Sequence, residues 1–378
     1  MSTNTYDIAI IGSGIAGASA AYFLGAGRKV LLIERESQPG YHTTGRSAAL
    51  YIETYGNAVM RALTVASGPF LKSPPTGFTD HPILTPRGVM FVGRADQAAS
   101  AESLYKEGAA LTPSVRMLEG REITALCPVV KPEYTVCGVL EPDAMDIDVA
   151  SLHQGYLRGA KTNGAHLVTD ADVIAIDRRN GVWEIKTRAG NFHAALVVNA
   201  AGAWADVMGT LAGLAPIGLQ PKRRTAITFD APAGHDSAKW VAVGDMDEAW
   251  YFKPDAGRLL ASPADETPSD PCDAQPDEMD VAIAVDRITT ATTIPIRKLH
   301  AKWAGLRSFV EDRTIVIGAD PQEPSFLWLA AQGGYGIQTS AAAGQAAASL
   351  LLSGELPASL RSVGVTIEQL SPARLRKD

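Results

Sequence analysis

The sequence predicts an α/β protein built from two lobes, and three observations support that prediction. The chain has 378 residues, which is more than one hydrophobic core usually serves. Residues 6–33 have the pattern of strand, helix and strand, the order found in parallel sheets covered by helices. Residues 171–199 predict three short strands, of which the first two are joined by a hairpin turn. The third strand leads into Ala200-Ala201-Gly202.

Composition and charge exclude several classes of protein. Apolar residues make up 46% of the chain and charged residues 20%, which is typical of a globular protein. The formal charge of −7, with no basic cluster longer than residues 222–224, argues against a nucleic-acid partner. The three cysteines (Cys127, Cys137 and Cys272) are scattered and lack metal-ligand spacing, so we expect reduced thiols in a cytoplasmic protein.

The apolar stretch at residues 8–26 is not expected to enter a membrane. No basic residue precedes it, and it contains Gly12, Gly14, Gly17 and Gly25. Its pattern of strand, turn and helix fits a folded domain better than a signal peptide or a transmembrane span. Peripheral association with a membrane remains open.

The remaining elements follow from periodicity and from turn residues. Ser73-Pro74-Pro75 stops a helix, Arg179-Asn180-Gly181 marks a hairpin turn, and the acidic, proline-rich residues 262–280 predict an exposed connection. In chain order, the pattern predicts a strand at 6–11, a helix at 15–25, a strand at 29–33, a helix at 57–72, a strand at 83–92, helices at 97–107 and 149–163, strands at 171–177, 182–187, 192–199 and 314–317, and a helix at 336–352.

A glycine-rich turn between the first strand and the first helix predicts a dinucleotide site. In Gly12-Ser13-Gly14-Ile15-Ala16-Gly17, the first glycine allows the tight turn, the second lets the backbone approach a pyrophosphate, and the third lets helix and strand pack closely. Free amides at the helix start would bind the phosphates. Glu34, at the end of the second strand, would accept hydrogen bonds from ribose hydroxyls and disfavours NADP. The motif alone leaves FAD and NAD open, and a plain glycine turn with a surface glutamate is the alternative.

Three further segments carry a resemblance to the D-amino acid oxidase superfamily of flavoproteins. They are Tyr41-His42-Thr43-Thr44-Gly45-Arg46-Ser47-Ala48-Ala49, Val198-Asn199-Ala200-Ala201-Gly202-Ala203-Trp204 and Gln332-Gly333-Gly334-Tyr335-Gly336-Ile337-Gln338-Thr339. The resemblance implies a Rossmann-like FAD-binding domain and an interleaved α+β substrate domain built on a mostly antiparallel sheet. It also implies FAD held without a covalent bond, since the segment at residues 332–339 has no cysteine.

The chain is more closely similar to FAD-dependent D-amino acid dehydrogenases of the D-arginine dehydrogenase type. Residues 219–224, 251–257 and 303–309 match that type, and the resemblance extends from the first strand to the last helix. It implies oxidative deamination of a D-amino acid by hydride transfer from Cα to flavin N5, giving an imino acid and then a 2-oxo acid. Whether oxygen, a quinone or another carrier accepts the electrons stays open, and so does the oligomeric state.

The resemblance also implies domain boundaries and site residues. The FAD-binding domain is expected at residues 1–50, 142–215 and 303–365, the substrate domain at 51–141 and 216–302, and a tail at 366–378. Arg307 and Arg224 would hold the substrate carboxylate, with Tyr251 and Tyr55 beside it, and the pocket would include Val89, Leu50, Ala48, Gly334 and Gln338. The expected cofactor-binding residues are Gly12, Gly14, Ile15, Ala16, Gly17, Glu34, Arg35, His42, Thr43, Thr44, Gly45, Arg46, Ser47, Ala48, Ala49, Val173, Ala201, Gly202, Trp204, Gly333, Gly334, Tyr335, Gly336, Ile337, Gln338 and Thr339.

Two positions depart from the D-arginine type. Val89 stands where that type has a glutamate for the cationic side chain, and Leu50 stands where it has a histidine. Burying a guanidinium without a partner is costly, so apolar D-amino acids are expected to be better substrates than D-arginine. The alternative is that an acid elsewhere, such as Glu53, binds the cationic side chain of the substrate.

Three other functions remain open: an oxidase of glycine, sarcosine or other N-substituted amino acids, an NAD-dependent dehydrogenase, and a dinucleotide-binding protein without turnover.

Overall fold

The computed structural model describes residues 4–376. Its strands are β1 (Thr5–Ile11), β2 (Val30–Ile33), β3 (Leu50–Tyr51), β4 (Leu84–Pro86), β5 (Val89–Gly93), β6 (Arg116–Leu118), β7 (Cys137–Glu141), β8 (Met145–Ile147), β9 (His166–Val168), β10 (Val173–Arg179), β11 (Val182–Thr187), β12 (Gly190–Asn199), β13 (Gln220–Phe229), β14 (Ala242–Asp245), β15 (Tyr251–Asp255), β16 (Arg258–Ser262), β17 (Thr267–Pro268), β18 (Leu299–Phe309), β19 (Val316–Ala319) and β20 (Phe326–Ala330).

Ten α-helices and four short 3-10 helices accompany these strands within the described range. The α-helices are α1 (Ile15–Leu24), α2 (Ala58–Lys72), α3 (Ala98–Leu111), α4 (Arg121–Leu126), α5 (Val149–Thr162), α6 (Ala205–Leu211), α7 (Glu278–Ala291), α8 (Ser340–Ser353), α9 (Ala358–Arg361) and α10 (Ile367–Leu370). The 3-10 helices are Ala95–Gln97, Gly202–Trp204, Ser237–Lys239 and Pro372–Leu375.

The first of the two large sheets has a parallel centre. In the part of the chain that the structure describes it contains eight strands, of which β9, β2, β1, β12 and β20 lie side by side and parallel. β10 and β11 extend it as an antiparallel ribbon from β12, and β19 pairs antiparallel with β20. Its strands come from both ends and the middle of the chain.

Both faces of that sheet are buried, as the continuous apolar runs predict. Ile8 and Ile10 of β1 pack on one side with α1 and the alanines of α8. Ala9 and Ile11 face the opposite way, into a core that contains Trp328. The β1–α1 turn therefore lies at the carboxyl end of a sandwiched parallel sheet, where α/β proteins bind ligands.

The second large sheet is mostly antiparallel. Between residues 4 and 376 it has nine strands, with the path β17-β13-β16-β15-β14-β5-β7-β6 and β18 attached to β13. The β14–β5 pair is its parallel exception. A third, smaller sheet has the order β3-β8-β4. The predicted α/β fold, with a parallel unit and a second, mostly antiparallel sheet, is confirmed.

Three predicted elements were wrong in detail. Residues 83–92 form two strands instead of one, because Gly88 turns the chain with φ +71° and sends β4 and β5 into different sheets. The helix expected to start at residue 336 starts at Ser340, after a series of turns that begins at Gly333. The connection at 262–280 is not exposed throughout, since β17 pairs with β13, Ala274 is buried, and α7 begins at Glu278.

The predicted domain boundaries stay a prediction, although β18, which crosses the predicted boundary between residues 302 and 303, pairs along its length in the second large sheet. Residues 377 and 378 of the predicted tail, and 1–3 of the first segment, lie outside the described residues. The described part of the tail packs on the protein, because Arg374 pairs with Asp312 and Leu370 is fully buried.

None of the helices within residues 4–376 is long and apolar enough to cross a membrane.

Candidate active site

The glycine turn between β1 and α1 is shaped for close approach. Gly12 has φ +97°, and a Cβ atom there would lie 2.4 Å from the carbonyl oxygen of Ala200. A Cβ atom at Gly17 would lie 1.9 Å from the carbonyl oxygen of Gly12. Only glycine fits either position, so the first and third glycines have the conformational and packing roles that the motif predicts.

Glu34 lies at the end of β2 and points back at this turn. Its Oε2 accepts hydrogen bonds from the amide (3.0 Å) and the hydroxyl (2.7 Å) of Ser13, and its side chain is buried. Nε2 of the buried His153 bonds the carbonyl oxygen of Ser13 at 2.8 Å. Burial lowers the pKa of His153, so the ring is neutral near pH 7 and donates from Nε2. The carboxylate is thus fixed at the place where a ribose would meet the turn.

Besides the amide of Ser13, a second amide of the predicted phosphate cradle already has a partner. The amide of Ile15 donates to the hydroxyl oxygen of Thr44 at 3.0 Å, which links the start of α1 to the loop at residues 41–49. Thr44 and Gly14 both line the cleft described below. The prediction of free amides along the whole helix start was therefore wrong for Ile15, because a threonine side chain caps it.

Arg46 fastens the loop at residues 41–49 to the second sheet. Its guanidinium donates to the carbonyl oxygens of Ala274 and Ala304, both at 2.9 Å, and pairs with Asp273. The hydroxyl of Thr43 donates to the carbonyl oxygen of Leu306 at 2.8 Å. These contacts hold the loop against β18 and explain why the connection near Ala274 is buried.

A single cleft runs from the glycine turn to the second sheet and collects most of the predicted site. The predicted residues that line it are Gly14, Ile15, Ala16, Thr43, Thr44, Arg46, Ser47, Ala48, Ala49, Leu50, Tyr55, Val89, Gly202, Arg224, Tyr251, Arg307, Gly333, Gly334, Gly336, Ile337 and Gln338. Residues more than 300 positions apart in sequence thus meet on one surface.

The other predicted site residues do not line that cleft. They are Gly12, Gly17, Glu34, Arg35, His42, Gly45, Val173, Ala201, Trp204, Tyr335 and Thr339. Three of them pack together: the Arg35 guanidinium lies 4.7 Å from the centre of the Trp204 ring, and the centre of the His42 ring lies 4.8 Å from that of Trp204. Val173 is a buried residue of β10.

The two predicted arginines lie on neighbouring strands of the second sheet. β13 pairs antiparallel with β18, with Lys222 opposite Arg307 and Arg224 opposite Gly305. Arg224 and Arg307 therefore lie on one face of the sheet, diagonally across the strand pair. Burial first, and then the positive charge of Arg307, lower the pKa of Arg224. Both guanidiniums remain charged near pH 7 because their ordinary pKa is 12.5.

The two guanidiniums differ in their partners. Arg224 donates from Nε to the carbonyl oxygen of Asp265 at 2.8 Å, and its Nη2 lies 3.5 Å from Glu266. Arg307 forms no ion pair with an acid among residues 4–376. Burial lowers its pKa, but the neighbouring phenols of Tyr55 and Tyr251 raise it, and the net change is a rise. The guanidinium also packs on Gly334, where a Cβ atom would lie 2.8 Å from Nη1. The charge of Arg307 is therefore not neutralised by the protein.

Glu266 joins Arg224 to two further cations. It accepts hydrogen bonds from Arg313 at 2.8 and 3.0 Å and from Lys222 at 2.9 Å. The hydrogen bonds from Arg313, followed by those from Lys222, lower the pKa of Glu266 to about 2. Sequence reasoning missed this acid, because nothing in the sequence places residue 266 beside residue 224.

The wall opposite the glycine turn is apolar. Val89 and Ala242 are buried cross-strand partners on β5 and β14, and they form one cluster with Ile52, Leu50 and neighbouring side chains. Glu53, the acid considered as an alternative, lies outside the cleft lining and accepts hydrogen bonds from Tyr51 and Lys72. The structure gives Val89 and Leu50 an apolar setting.

The predicted site residues left out several residues of the cleft. Glu248 lines it from the loop between β14 and β15, with φ +57°. Lys253 lines it too, with its ammonium held by Asp146 at 2.6 Å. The amide nitrogen of Gln332 is buried without a partner among the described residues, and this side chain also lines the cleft. Only the alternating pattern of β15 could have drawn attention to Lys253, two residues after Tyr251.

These features fit a dinucleotide cofactor. The glycine cradle, the buried Glu34 at its edge and the unpartnered donor of Gln332 provide the close approach, the ribose acceptor and a polar group that such a cofactor needs.

A family model and a curated protein match most of this chain. The model of the family described as FAD dependent oxidoreductase (DAO) matches residues 7–350. N-methyl-L-tryptophan oxidase of Salmonella agona is 24% identical over 282 residues, which cover 70% of this chain and 74% of that protein.

Solved structures share the fold over most of both chains. Glycine oxidase from Geobacillus kaustophilus superposes with a TM-score of 0.82 and 22% identity, covering 92% of this chain and 95% of that one. The L-α-glycerophosphate oxidase of Mycoplasma pneumoniae, solved with FAD bound, has a TM-score of 0.82 and 19% identity, with coverages of 92% and 94%.

Proposed function

This chain belongs to the DAO family of FAD-dependent oxidoreductases, and from that premise we propose that it oxidises D-amino acids with apolar side chains. It is an enzyme with FAD as its cofactor. The proposed reaction converts the Cα–N single bond to an imine, which water hydrolyses to a 2-oxo acid and ammonia. The observation that carries the proposal is an arginine pair, Arg307 and Arg224, in a cleft that has an apolar wall around Val89.

The arginines would bind the carboxylate of the substrate. A guanidinium makes two parallel charge-assisted bonds to a carboxylate, and such bonds are worth about 1.5–3 kcal/mol each. Arg307 is free for this role, because the described residues offer it no acid. Tyr55 and Tyr251 line the same part of the cleft, so their hydroxyls are candidates for further bonds to the substrate.

The same charges would prepare the amine. Two guanidiniums beside the substrate disfavour a third positive charge, so they lower the pKa of the substrate ammonium and favour the neutral amine. Val89, Leu50 and Ile52 keep water from the reacting carbon and accept an apolar side chain. Bound FAD supplies the acceptor for the hydride of Cα.

The preference for the D-enantiomer rests on the similarity to the D-arginine dehydrogenase type, and the apolar preference rests on Val89 and Leu50. We expect kcat/KM, measured with a dye acceptor, to be higher for D-Leu, D-Phe or D-Met than for D-Arg. A higher value for D-Arg would remove the apolar preference. Formation of the matching 2-oxo acid checks the reaction itself.

Glu248 provides a sharper test, because it is an acid on the cleft surface. If the pocket selects apolar side chains, Glu248→Gln changes the ratio of kcat/KM for D-Leu to kcat/KM for D-Arg by less than about threefold. Loss of an ion pair between Glu248 and the substrate would change this ratio by more than that. Loss of D-Arg turnover alone would show that Glu248 binds a cationic side chain.

A second function is an oxidase of N-substituted amino acids. N-methyl-L-tryptophan oxidase is among the relatives of this chain, which favours testing that class. Glycine, sarcosine and N-methyl amino acids belong in the same panel, and faster turnover of any of them than of every D-amino acid would make this second function the correct one. We also propose that the enzyme is cytoplasmic and that oxygen, a quinone or another carrier accepts its electrons.

A further inference from the structure

Residues 52–57, called here the arch, connect β3 to α2 and carry Tyr55 into the cleft. The arch has little internal structure, since its one internal backbone hydrogen bond among those described joins the amide of Tyr55 to the carbonyl oxygen of Ile52 at 3.4 Å. Its shape therefore depends on contacts with other elements.

Both ends of the arch are anchored by amide side chains. Oε1 of Gln338 accepts from the amide of Ile52 at 3.1 Å, and its Nε2 donates to Thr64 of α2 at 3.0 Å. Asn57 accepts from the amide of Met60 at 3.0 Å, which caps α2. Neither contact reaches the middle of the arch.

Glu141, the last residue of β7, forms hydrogen bonds with the middle of the arch. Its Oε1 accepts from the amide of Glu53 at 3.1 Å, and its Oε2 accepts from the hydroxyl of Thr54. The two oxygens of one carboxylate thus bind two donors on consecutive residues, immediately before Tyr55. Glu141 is also the cross-strand partner of Val89 on β5, so it joins the strand that forms the pocket wall to the arch.

The environment of Glu141 is unusual for an acid. The residue is 4% exposed, and no lysine, arginine or histidine among residues 4–376 forms an ion pair with it. Burial, as the largest cause, raises its pKa. A buried carboxylate without a cation is costly, and it persists where its hydrogen bonds serve the surrounding structure.

We propose that Glu141 is a positioning residue: by holding Glu53 and Thr54 it keeps Tyr55 against Arg307 and so sets the affinity for the substrate carboxylate. This inference rests on the proposed function only in that Arg307 and Tyr55 bind a carboxylate. Without the hydrogen bonds to Glu141, the amide of Glu53 and the hydroxyl of Thr54 lose their partner, and Tyr55 loses the support of the two residues before it. The packing of the Tyr55 ring on Tyr335, with centroids 4.9 Å apart, remains.

The experiment uses Thr54, which lies outside the cleft lining. Thr54→Val keeps the shape of the side chain and removes the hydroxyl, and Thr54→Ser is the matched control that keeps it. Glu141→Gln is a second control, because its amide can accept from the Glu53 amide and donate to the hydroxyl oxygen of Thr54. Hydrogen exchange of the arch amides in the holoenzyme is the first measurement, and KM and kcat for D-Leu are the second.

For Thr54→Val we expect exchange of the arch amides to be about 10-fold faster and KM about 10-fold higher, with kcat changed less than KM. Thr54→Ser and Glu141→Gln should stay within about twofold of the wild type in both measurements. Unchanged exchange in Thr54→Val, or faster exchange with an unchanged KM, overturns the inference. An equal rise of KM in Thr54→Ser overturns it as well.

The two proposals can fail separately. If the wild-type holoenzyme turns over no D-amino acid, the proposed function fails, and the exchange rates still decide whether Thr54 and Glu141 hold the arch. If D-amino acids are turned over and Thr54→Val behaves as the wild type, the positioning role alone is wrong.

Discussion

Arg307 and Tyr55 line the same cleft, and the phenol of Tyr55 is the group that most raises the pKa of the Arg307 guanidinium against the lowering effect of burial. A tyrosine is neutral near pH 7, and burial raises the pKa of Tyr55 further. The pair therefore keeps a net positive charge at a protected position. Burying a charge without an ion-pair partner is costly, and a bound anion would remove that cost, which is the physical basis for a carboxylate substrate.

Arg307 should matter more than Arg224 for substrate binding. Arg307→Lys keeps the charge and loses the planar pair of donors, so we expect kcat/KM to fall about 100-fold. Arg224→Lys should cost about 10-fold, because Glu266 and the carbonyl oxygen of Asp265 already occupy part of that guanidinium.

Steady-state kinetics on both variants check this order, with the flavin content of each protein as the control for folding. A larger loss for Arg224→Lys than for Arg307→Lys would contradict the assignment of Arg307 as the main carboxylate ligand.

Gly12→Ala should abolish FAD binding. A Cβ atom there would lie 2.4 Å from the carbonyl oxygen of Ala200, and φ is +97°. Gly27→Ala is the matched control: its φ of +91° carries a similar backbone strain, and no heavy atom lies within 4 Å of the added carbon. Purified Gly12→Ala is expected to be colourless and Gly27→Ala yellow. A yellow Gly12→Ala protein with wild-type FAD content would refute this role of the turn.

Val89→Glu should move the substrate preference towards cationic side chains. A carboxylate on the pocket wall can pair with the guanidinium of D-Arg, so the ratio of kcat/KM for D-Arg to that for D-Leu should rise at least about 10-fold. Val89→Gln has the same length without the charge, and it separates pairing from added polarity. If Val89→Gln raises the ratio as much as Val89→Glu does, charge recognition at position 89 is ruled out.

Glu266 should stabilise the fold in a pH-dependent way. Hydrogen bonds from Arg313 and Lys222 lower its pKa from the ordinary 4.5 to about 2. A lowered pKa in the folded state stabilises the protein above the ordinary pKa, and this contribution is lost as the pH falls towards about 2.

Glu266→Gln should therefore be less stable than the wild type near neutral pH, and the difference should shrink as the pH falls below about 4. Unfolding by urea at several pH values measures the difference directly. A gap that stays constant from neutral to acidic pH would mean that the ion pairs of Glu266 do not stabilise the fold.

Local patterns in the sequence were sufficient for the elements with strong periodicity. The glycine turn at Gly12, the acid at Glu34 and the helix that Asn57 caps all follow from residues a few positions apart. The break between β4 and β5 was missed, because the apolar residues on either side of Gly88 read as one strand when the partners of each half are unknown.

The site depends on pairings that no local pattern contains. The resemblance located Arg224 and Arg307, whereas Glu266, Glu248 and Glu141 became visible only through the pairing of β13 with β17, the β14–β15 loop and the pairing of β5 with β7. Acidic side chains are ordinarily exposed to solvent, so the amino-acid sequence does not indicate which of them are buried beside a cleft.

The most direct test of the proposed function is anaerobic reduction of the yellow holoenzyme by single amino acids. We predict that D-Leu or D-Phe bleaches the flavin absorbance, that the L-enantiomer does not, and that Arg307→Lys requires a much higher concentration of the D-amino acid. Bleaching by the L-enantiomer but not by the D-enantiomer, or no bleaching by any D-amino acid, would contradict the proposal.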